Sequence, residues 1–198
     1  MSDRPFGILF VCTANICRSP MAEHLLRGSL AALLDTGGAI RFEVSSAGIR
    51  GWDGEPMDPP AAAELRRLGG DPSRFQARSF TAALGERVDL ILTATTDHRR
   101  LVLQEVPQAL RKTFTLLEFA HLATAVDTVK SAAGSPTEVV RRAAANRGAA
   151  RIDTYDLADP YGHPFAVHRH TAEIVRAATR TIASVLASQD SPDEGGAR

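Results

Sequence analysis

The residues of this chain best suited to chemistry lie near its beginning, where five residues separate Cys12 from Arg18. A loop of this length can close a ring in which successive backbone N–H groups point inward, and such a ring binds phosphate. Arg18 would add a planar, permanently charged guanidinium that matches two phosphoryl oxygens, and Cys12 would attack phosphorus as a thiolate. Asn15, mid-loop, tolerates the left-handed backbone that a tight ring often needs. The spacing therefore predicts a phosphate site that contains a nucleophile.

A helix is expected directly after this loop. Ser19 is a favourable cap residue, and Pro20 suits a first helical turn because its missing N–H would be unpaired there anyway. The positive end of the helix dipole would then stabilise a thiolate at Cys12. Gly37 and Gly38 predict the end of the helix. Its buried face is predicted from leucines at helical spacing, Leu26, Leu30, Leu33 and Leu34.

Short apolar runs alternate with amphipathic stretches along the rest of the chain. Strands are predicted at residues 7–11, 40–45, 88–93 and 113–117, and helices at 61–68, 97–103 and 164–187. The last helix should bury one face, made of Ile174, Ala178, Ile182 and Val185. Residues 120–155 do not fit the alternation, although their Ala and Arg content is compatible with helix.

This alternation predicts an α/β fold: a single domain with a four-stranded parallel sheet flanked by helices on both faces. Ligands of such sheets bind beyond the carboxyl ends of the strands. The phosphate-binding loop after the first strand is therefore the expected site.

The composition excludes several classes of function. The 23 Lys and Arg residues balance the 23 Asp and Glu residues, so no basic field is present to hold nucleic acid or an anionic membrane. The apolar run at residues 7–12 is too short for a signal sequence or a membrane span, and we expect a cytoplasmic protein. Two cysteines are too few for a structural zinc site, and His163, His168 and His170 are expected to be solvated rather than metal ligands.

Residues 11–23, with the sequence VCTANICRSPMAE, resemble the signature loop of the low-molecular-weight protein-tyrosine phosphatases. Two later segments resemble the same family: Ser46-Ala47-Gly48 with Trp52 and Gly54-x-Pro56, and the general-acid loop Asp159-Pro160-Tyr161-Gly162. The resemblance implies a low-molecular-weight phosphatase domain over residues 1–187, with a family-atypical insertion near 120–155. Residues 188–198 are polar and Gly-rich, and a disordered tail is expected there.

The resemblance implies phosphoryl transfer in two steps, without a cofactor or metal. Cys12 would attack phosphorus, Asp159 would protonate the departing phenolic oxygen, and water would then hydrolyse the phosphocysteine. Trp52 and Tyr161 would form aromatic walls for a phosphotyrosine ring. Ser46 would support the loop asparagine, and Ser19 would bind the Cys12 sulfur. The implied phosphate-binding residues are those of the loop, Thr13, Ala14, Asn15, Ile16, Cys17 and Ser19.

Both cysteines also have a plainer interpretation. Cys12 taken alone would be a buried residue at a strand end, and only its loop favours catalysis. The role that the resemblance implies for Cys17 is to trap an oxidised Cys12 as a reversible disulfide, which would make the enzyme redox-sensitive. A small buried loop residue is the alternative.

The acid and the aromatic walls have alternatives too. An Asp before Pro is often only a turn former, and Asp153 and Asp156 compete with Asp159 for the role of acid. Trp52 would otherwise pack on the core, and Tyr161 would otherwise anchor its loop.

The chain departs from the family pattern in four places. The spacing from Trp52 to Gly54 is one residue shorter than usual, and Phe75 stands where some members carry a loop-supporting histidine. The acid loop has Tyr161 followed by glycine where some members have two tyrosines, and the 120–155 insertion precedes that loop directly. Pocket details and loop closure are therefore expected to differ.

Three rival functions use the same fold and loop. A thiol-coupled arsenate reductase would need further cysteines, and none follows Cys17. A protein-arginine phosphatase tends to place threonine where this chain has Ile16. A phosphotyrosine-binding module would need neither the Cys12 thiolate nor an acid at Asp159. The expected partner is a tyrosine-phosphorylated protein, for which the resemblance implies a bacterial tyrosine kinase or a polysaccharide-synthesis regulator.

Overall fold

A four-stranded parallel sheet forms the centre of the protein, whose structure, a computed structural model, describes residues 4–34, 41–127, 135–149 and 153–188. The strands are β1 (Phe6–Cys12), β2 (Phe42–Gly48), β3 (Leu90–Thr93) and β4 (Thr113–Thr115). Their order across the sheet is β2-β1-β3-β4, and every neighbouring pair is parallel. The predicted α/β fold is therefore confirmed.

Helices connect the strands and follow the last one. They are α1 (Arg18–Leu33), α2 (Pro59–Arg67), α3 (Ala82–Arg87), α4 (Thr96–Glu105), α5 (Leu116–Asp127), α6 (Pro136–Asn146) and α7 (Phe165–Ala187), with 3₁₀ helices at Pro107–Lys112 and Arg147–Ala149. The sequence did not predict α3 or the first 3₁₀ helix. Both are too short to display the helical period in their apolar residues.

The central strand β1 explains why its sequence is almost entirely apolar. Ile8 and Phe10 belong to the core beneath α1, α2, α5 and α7, whereas Leu9 and Val11 belong to a second core with Val102 of α4. Both faces of the sheet are thus covered, and every residue of β1 is buried.

Two details of the predicted helices are wrong. Leu26 and Leu30 are buried as expected, but Leu33 is 54% exposed because α1 ends there, beyond the core. His168 is 3% exposed rather than solvated, since it lies on the same face of α7 as the buried Ala172. His163 and His170 are exposed as predicted. Gly37, Gly38 and Ile40 lie outside the described residues.

The region around 120–155 differs from the prediction at its start. The fourth strand ends at Thr115, and Leu116 already begins α5. Glu118 stabilises this direct transition from strand to helix. Its buried carboxylate accepts the backbone N–H of Thr115 and pairs with Arg99 and Arg147. The division into a domain at 1–187 with an insertion stays a prediction, and residues 189–198 lie outside the described part of the chain.

No helix in the described segments is long and apolar enough to cross a membrane.

Candidate active site

A cavity of about 170 Å³ opens at the carboxyl end of β1 and brings together most of the predicted site residues. It is lined by Cys12, Thr13, Ala14, Ile16, Cys17, Arg18, Trp52, Asp159 and Tyr161, together with Arg50. Asn15, Ser19 and Ser46 do not line it; they are buried behind the loop. The loop residues come from one contiguous segment, whereas Trp52 and Asp159 arrive from distant parts of the chain.

The segment that follows β2 holds the loop open. It donates three backbone N–H groups to loop carbonyls, from Ile49 to Cys12, from Arg50 to Thr13 and from Trp52 to Ala14, at 2.9–3.1 Å. Because the C=O and N–H of a trans peptide point in opposite directions, loop carbonyls held outward turn the following N–H groups inward. This geometry makes the nest that the Cys-to-Arg spacing predicted.

Asn15 fixes the centre of the loop. Its φ of 62° is left-handed, as the sequence indicated. Its side-chain amide donates to Ser19 and Ser46, at 2.8 Å each, and its side-chain oxygen accepts the backbone N–H of Arg78 at 2.9 Å. Ser46 donates in turn to Glu23 at 2.5 Å. Every polar atom of this buried side chain is thus bonded, which locks the ring.

Cys12 lies at the bottom of the cavity with its sulfur 3.0 Å from the hydroxyl oxygen of Ser19. Since the Ser19 oxygen already accepts from Asn15, its own proton is available to the sulfur. The alternative acceptor, the Ala47 carbonyl, is farther away at 3.3 Å. A thiolate at Cys12 would therefore receive a hydrogen bond from Ser19, as well as the dipole of α1, which begins at Arg18.

Arg18 is 5% exposed and is aimed into the cavity by three contacts. Its Nη1 donates to the Leu157 carbonyl at 3.2 Å, and its Nη2 donates to Thr13 at 3.1 Å and to Asp159 at 2.6 Å. Its buried Nε–H has no hydrogen-bond partner among the described residues.

The loop at residues 157–161 gives different orientations to Asp156 and Asp159, two candidates for the general acid. Leu157 anchors it, because its N–H donates to the Ala94 carbonyl after β3. Asp156 faces away and accepts the Thr96 N–H at the start of α4. Asp159 faces the cavity: one oxygen accepts from Arg18 and the other accepts the N–H of Tyr161. Asp159 therefore forms the turn and also lines the site.

Trp52 and Tyr161 form the mouth of the cavity. Their ring centroids lie 5.5 Å apart at an interplanar angle of 86°, and both side chains are about half exposed. A ring that only packed on the core would be buried rather than half exposed to solvent. The two rings contact each other edge to face and together offer an apolar surface to a flat ring that packs beside them.

A comparison with known families fits this geometry. The model of the low molecular weight phosphotyrosine protein phosphatases matches residues 7–129, which is more than half of the chain. The chain belongs to this family. The resemblance seen in residues 11–23 is thereby confirmed. Asp159 and Tyr161 lie beyond the matched residues, so their place in the site rests on the structure.

Individual proteins that are similar to this chain are also named as phosphatases. The low molecular weight protein-tyrosine-phosphatase Ptp of Acinetobacter johnsonii is 38% identical over 110 residues, 56% of this chain and 71% of that protein. A protein-arginine-phosphatase of Geobacillus stearothermophilus is 33% identical over 169 residues, 83% of this chain and 85% of that protein. The solved low molecular weight protein tyrosine phosphatase of T. tengcongensis superposes with a TM-score of 0.68, at 28% identity, over 90% of this chain and 98% of that one.

Cys17 has an environment unlike that of a reactive thiol. Burial, then the negative charges of Asp58 and of a Cys12 thiolate, raise the pKa of the Cys17 thiol well above its usual range. Cys17 is therefore protonated at neutral pH, and its side chain is 4% exposed.

Among the described residues, no group of His, Cys, Asp and Glu side chains could hold a metal ion.

Sequence reasoning missed three residues of this phosphatase site. Gly48 lies against the loop, where a Cβ would come within 2.5 Å of the Thr13 carbonyl oxygen. Arg50 lines the cavity mouth with an exposed side chain. His98 binds Thr13 from behind. The Ser-Ala-Gly motif that ends at Gly48 offered a signal for the first residue, but no local pattern marks the other two.

Phe75 also behaves differently from a loop-supporting histidine. Its ring contacts His24, with centroids 6.0 Å apart, and the support for Asn15 comes from the backbone of Arg78 instead. The main chain at Arg78 therefore supports the loop in this protein, whereas the ring of Phe75 packs against His24.

Proposed function

We propose that this protein is a protein-tyrosine phosphatase that hydrolyses aryl phosphate monoesters through a phosphocysteine intermediate. One observation carries the proposal: Cys12, Arg18 and Asp159 line a single cavity whose mouth is formed by Trp52 and Tyr161. A nucleophile, a phosphate clamp, an acid and aromatic walls for the leaving group are the four parts that this reaction needs.

In the first step the thiolate of Cys12 attacks phosphorus, a P–S bond forms and the P–O bond to the aryl group breaks. Asp159, protonated, gives its proton to the phenolic oxygen, so that a phenol leaves rather than a phenolate. Arg18 and the inward N–H groups of the loop hold the equatorial oxygens while charge redistributes.

In the second step water attacks the phosphocysteine, and the ionised Asp159 takes a proton from that water. The P–S bond breaks, and inorganic phosphate and the Cys12 thiolate are produced. The hydrogen bond from Ser19, 3.0 Å from the sulfur, supports the thiolate as a leaving group.

A phosphotyrosine side chain fits this cavity better than a phosphoserine. The sulfur lies at the bottom and the aromatic rings at the mouth, so only a long, flat side chain reaches the nucleophile while contacting both rings. Ile16 adds an apolar wall. We propose a tyrosine-phosphorylated protein as the substrate, in a cytoplasmic setting, with a bacterial tyrosine kinase or a polysaccharide-synthesis regulator as the partner to test first.

Phosphoarginine is the second candidate substrate. The relative named a protein-arginine-phosphatase matches 83% of this chain, a larger share than the tyrosine phosphatase of Acinetobacter johnsonii does. Ile16 counts against it, because an apolar side chain there offers no hydrogen-bond acceptor to a guanidinium.

Metal-free hydrolysis of phenyl phosphate, a phosphotyrosine peptide and a phosphoarginine peptide decides among these functions. We expect turnover of the first two, loss of activity in Cys12→Ser, and a rate reduced about 10²–10⁴-fold in Asp159→Ala. The control Asp153→Ala alters an exposed carboxylate outside the cavity and should retain the rate. Preferred hydrolysis of phosphoarginine would replace the proposed substrate, and phosphate binding without turnover would indicate a binding module.

A further inference from the structure

His98 lies behind the phosphate-binding loop and touches it from another element. It belongs to the first turn of α4 and is 8% exposed. Its Nε2 lies 3.0 Å from the hydroxyl oxygen of Thr13, and its Nδ1 lies 2.7 Å from the hydroxyl oxygen of Thr95, the residue that caps α4. A buried imidazole bonded at both nitrogens has a fixed orientation.

We propose that His98 is a positioning residue of the phosphatase reaction, which holds the hydroxyl of Thr13 and, through it, the guanidinium of Arg18 in place around the substrate phosphate. This inference rests on the proposed function, because it concerns the same cavity. His98 itself does not line the cavity, so we expect it to act through Thr13 without touching the substrate.

The neighbours of His98 favour one proton arrangement, in which the neutral ring is protonated on Nε2. The Thr95 hydroxyl oxygen accepts the backbone N–H of His98 at 3.2 Å, which leaves its own proton for the Nδ1 of His98. The remaining ring proton is then on Nε2 and is donated to Thr13. In this tautomer both ring nitrogens of His98 and the hydroxyl of Thr95 are paired, and the O–H of Thr13 is the one proton of the chain left to place.

The same arrangement directs the hydroxyl of Thr13. Its oxygen accepts from His98 at 3.0 Å and from the Nη2 of Arg18 at 3.1 Å, which uses both lone pairs. The O–H of Thr13 must therefore donate elsewhere, and Thr13 lines the cavity. A phosphoryl oxygen held by Arg18 is the acceptor within reach of that geometry.

The charge state of His98 suits this role. Burial, then the charge of Arg18, lower the pKa of His98 to about 4, against the opposing effect of Asp159, Asp97 and Asp156. The neutral ring carries one donor and one acceptor, as the chain of hydrogen bonds requires. Because the ring of His98 is neutral, it places no second positive charge beside Arg18.

The variants to compare are His98→Leu, which removes both ring nitrogens, and His98→Gln, whose amide can still donate to Thr13. We expect His98→Leu to raise the dissociation constant of inorganic phosphate and the KM for phenyl phosphate about five- to tenfold, with a smaller change in kcat, as the loss of one hydrogen bond predicts. His98→Gln should recover much of the affinity. The matched control is His170→Leu, an exposed position on α7.

A double-mutant cycle tests whether His98 acts through Thr13. In a Thr13→Val background, His98→Leu should have no further effect on phosphate binding. Additive effects, unchanged phosphate binding in a folded His98→Leu, or ¹⁵N NMR shifts that place the proton on Nδ1 would each overturn the inference. Calorimetric titration with phosphate needs no turnover, so a failure of the proposed phosphatase function would be seen separately.

Discussion

The carboxylate of Asp159 lies 2.6 Å from the Nη2 of Arg18, in a pair whose arginine is buried and whose aspartate is 48% exposed on its side chain. The proposed acid therefore occupies one of the donors of the proposed phosphate clamp. A phosphate dianion that enters the cavity therefore competes with this carboxylate for the Nη2 of Arg18. Because the Asp159 side chain is half exposed, water can solvate the carboxylate when it leaves Arg18.

Asp159→Asn should separate the two roles of this carboxylate. The amide removes a negative charge that competes with phosphate, so the inhibition constant for inorganic phosphate should fall about three- to tenfold. The same variant cannot protonate the phenol, so kcat for phenyl phosphate should fall about 10²–10⁴-fold. Steady-state kinetics with phosphate as the inhibitor measures both, and weaker phosphate binding in the variant would contradict the competition.

Gly48→Ala should damage the site without touching a catalytic group. A Cβ at this position would meet the Thr13 carbonyl oxygen at 2.5 Å and the backbone of Ala14 and Asn15 at 2.9 Å. We expect a loss of about 2–3 kcal/mol in the free energy of unfolding and a collapse of activity, because the ring must move. Gly28→Ala is the matched control, since a Cβ there meets nothing within 4 Å and α1 should become slightly more stable. Urea unfolding and phenyl phosphate turnover measure both variants.

Arg50→Glu should change which phosphopeptides are preferred. The exposed guanidinium lines the cavity mouth beside Trp52, so wild type should favour acidic residues next to the phosphotyrosine. Charge reversal should lower kcat/KM about tenfold for an acidic peptide relative to a basic one, with a smaller change for phenyl phosphate. Arg74→Glu, an exposed change of the same sign outside the cavity, controls for net charge. Equal peptide preference in wild type and Arg50→Glu would refute the prediction.

Oxidation tests the role proposed for Cys17. Peroxide converts the Cys12 thiolate to a sulfenic acid, and a Cys17 thiolate would then form the S–S bond and release the sulfenic oxygen as hydroxide. Because burial and then Asp58 raise the pKa of Cys17, this second step should be slow at neutral pH and faster as pH rises. Recovery of activity by dithiothreitol should therefore be greater after oxidation at pH about 9 than at pH about 7.

Two variants sharpen this test. Asp58→Asn removes a charge that opposes the Cys17 thiolate and should improve recovery at neutral pH. Cys17→Ser should recover poorly at every pH, since its sulfenic acid has no internal thiol and is oxidised further. Equal recovery in wild type and Cys17→Ser would remove the disulfide hypothesis.

The sequence by itself determined the parts of this protein that depend on neighbouring residues. The ring from Cys12 to Arg18 and the left-handed Asn15 follow from spacing and backbone preference within a few residues, and the structure has both. The helix α1 follows the loop as predicted, but Cys17 occupies the cap position, and the hydroxyl of Ser19, the predicted cap, contacts Cys12 and Asn15 instead. The alternation of apolar strands and amphipathic helices also predicted the parallel sheet, because β1 must be apolar on both faces to lie at its centre.

Only the tertiary structure decided which distant residues complete the site. Asp159 reaches Arg18 across 141 residues of sequence, and His98 reaches Thr13 across 85. The family resemblance favoured Asp159 over Asp153 and Asp156 as the acid. In the structure Leu157 is anchored to Ala94 after β3 and to Arg18, and Asp159 lines the cavity. The burial of His168 and the exposure of Leu33 likewise depend on where helices end and what packs on them. Hydrogen bonds between distant segments form only where packing brings their groups together. No local pattern in the sequence encodes which distant segments meet.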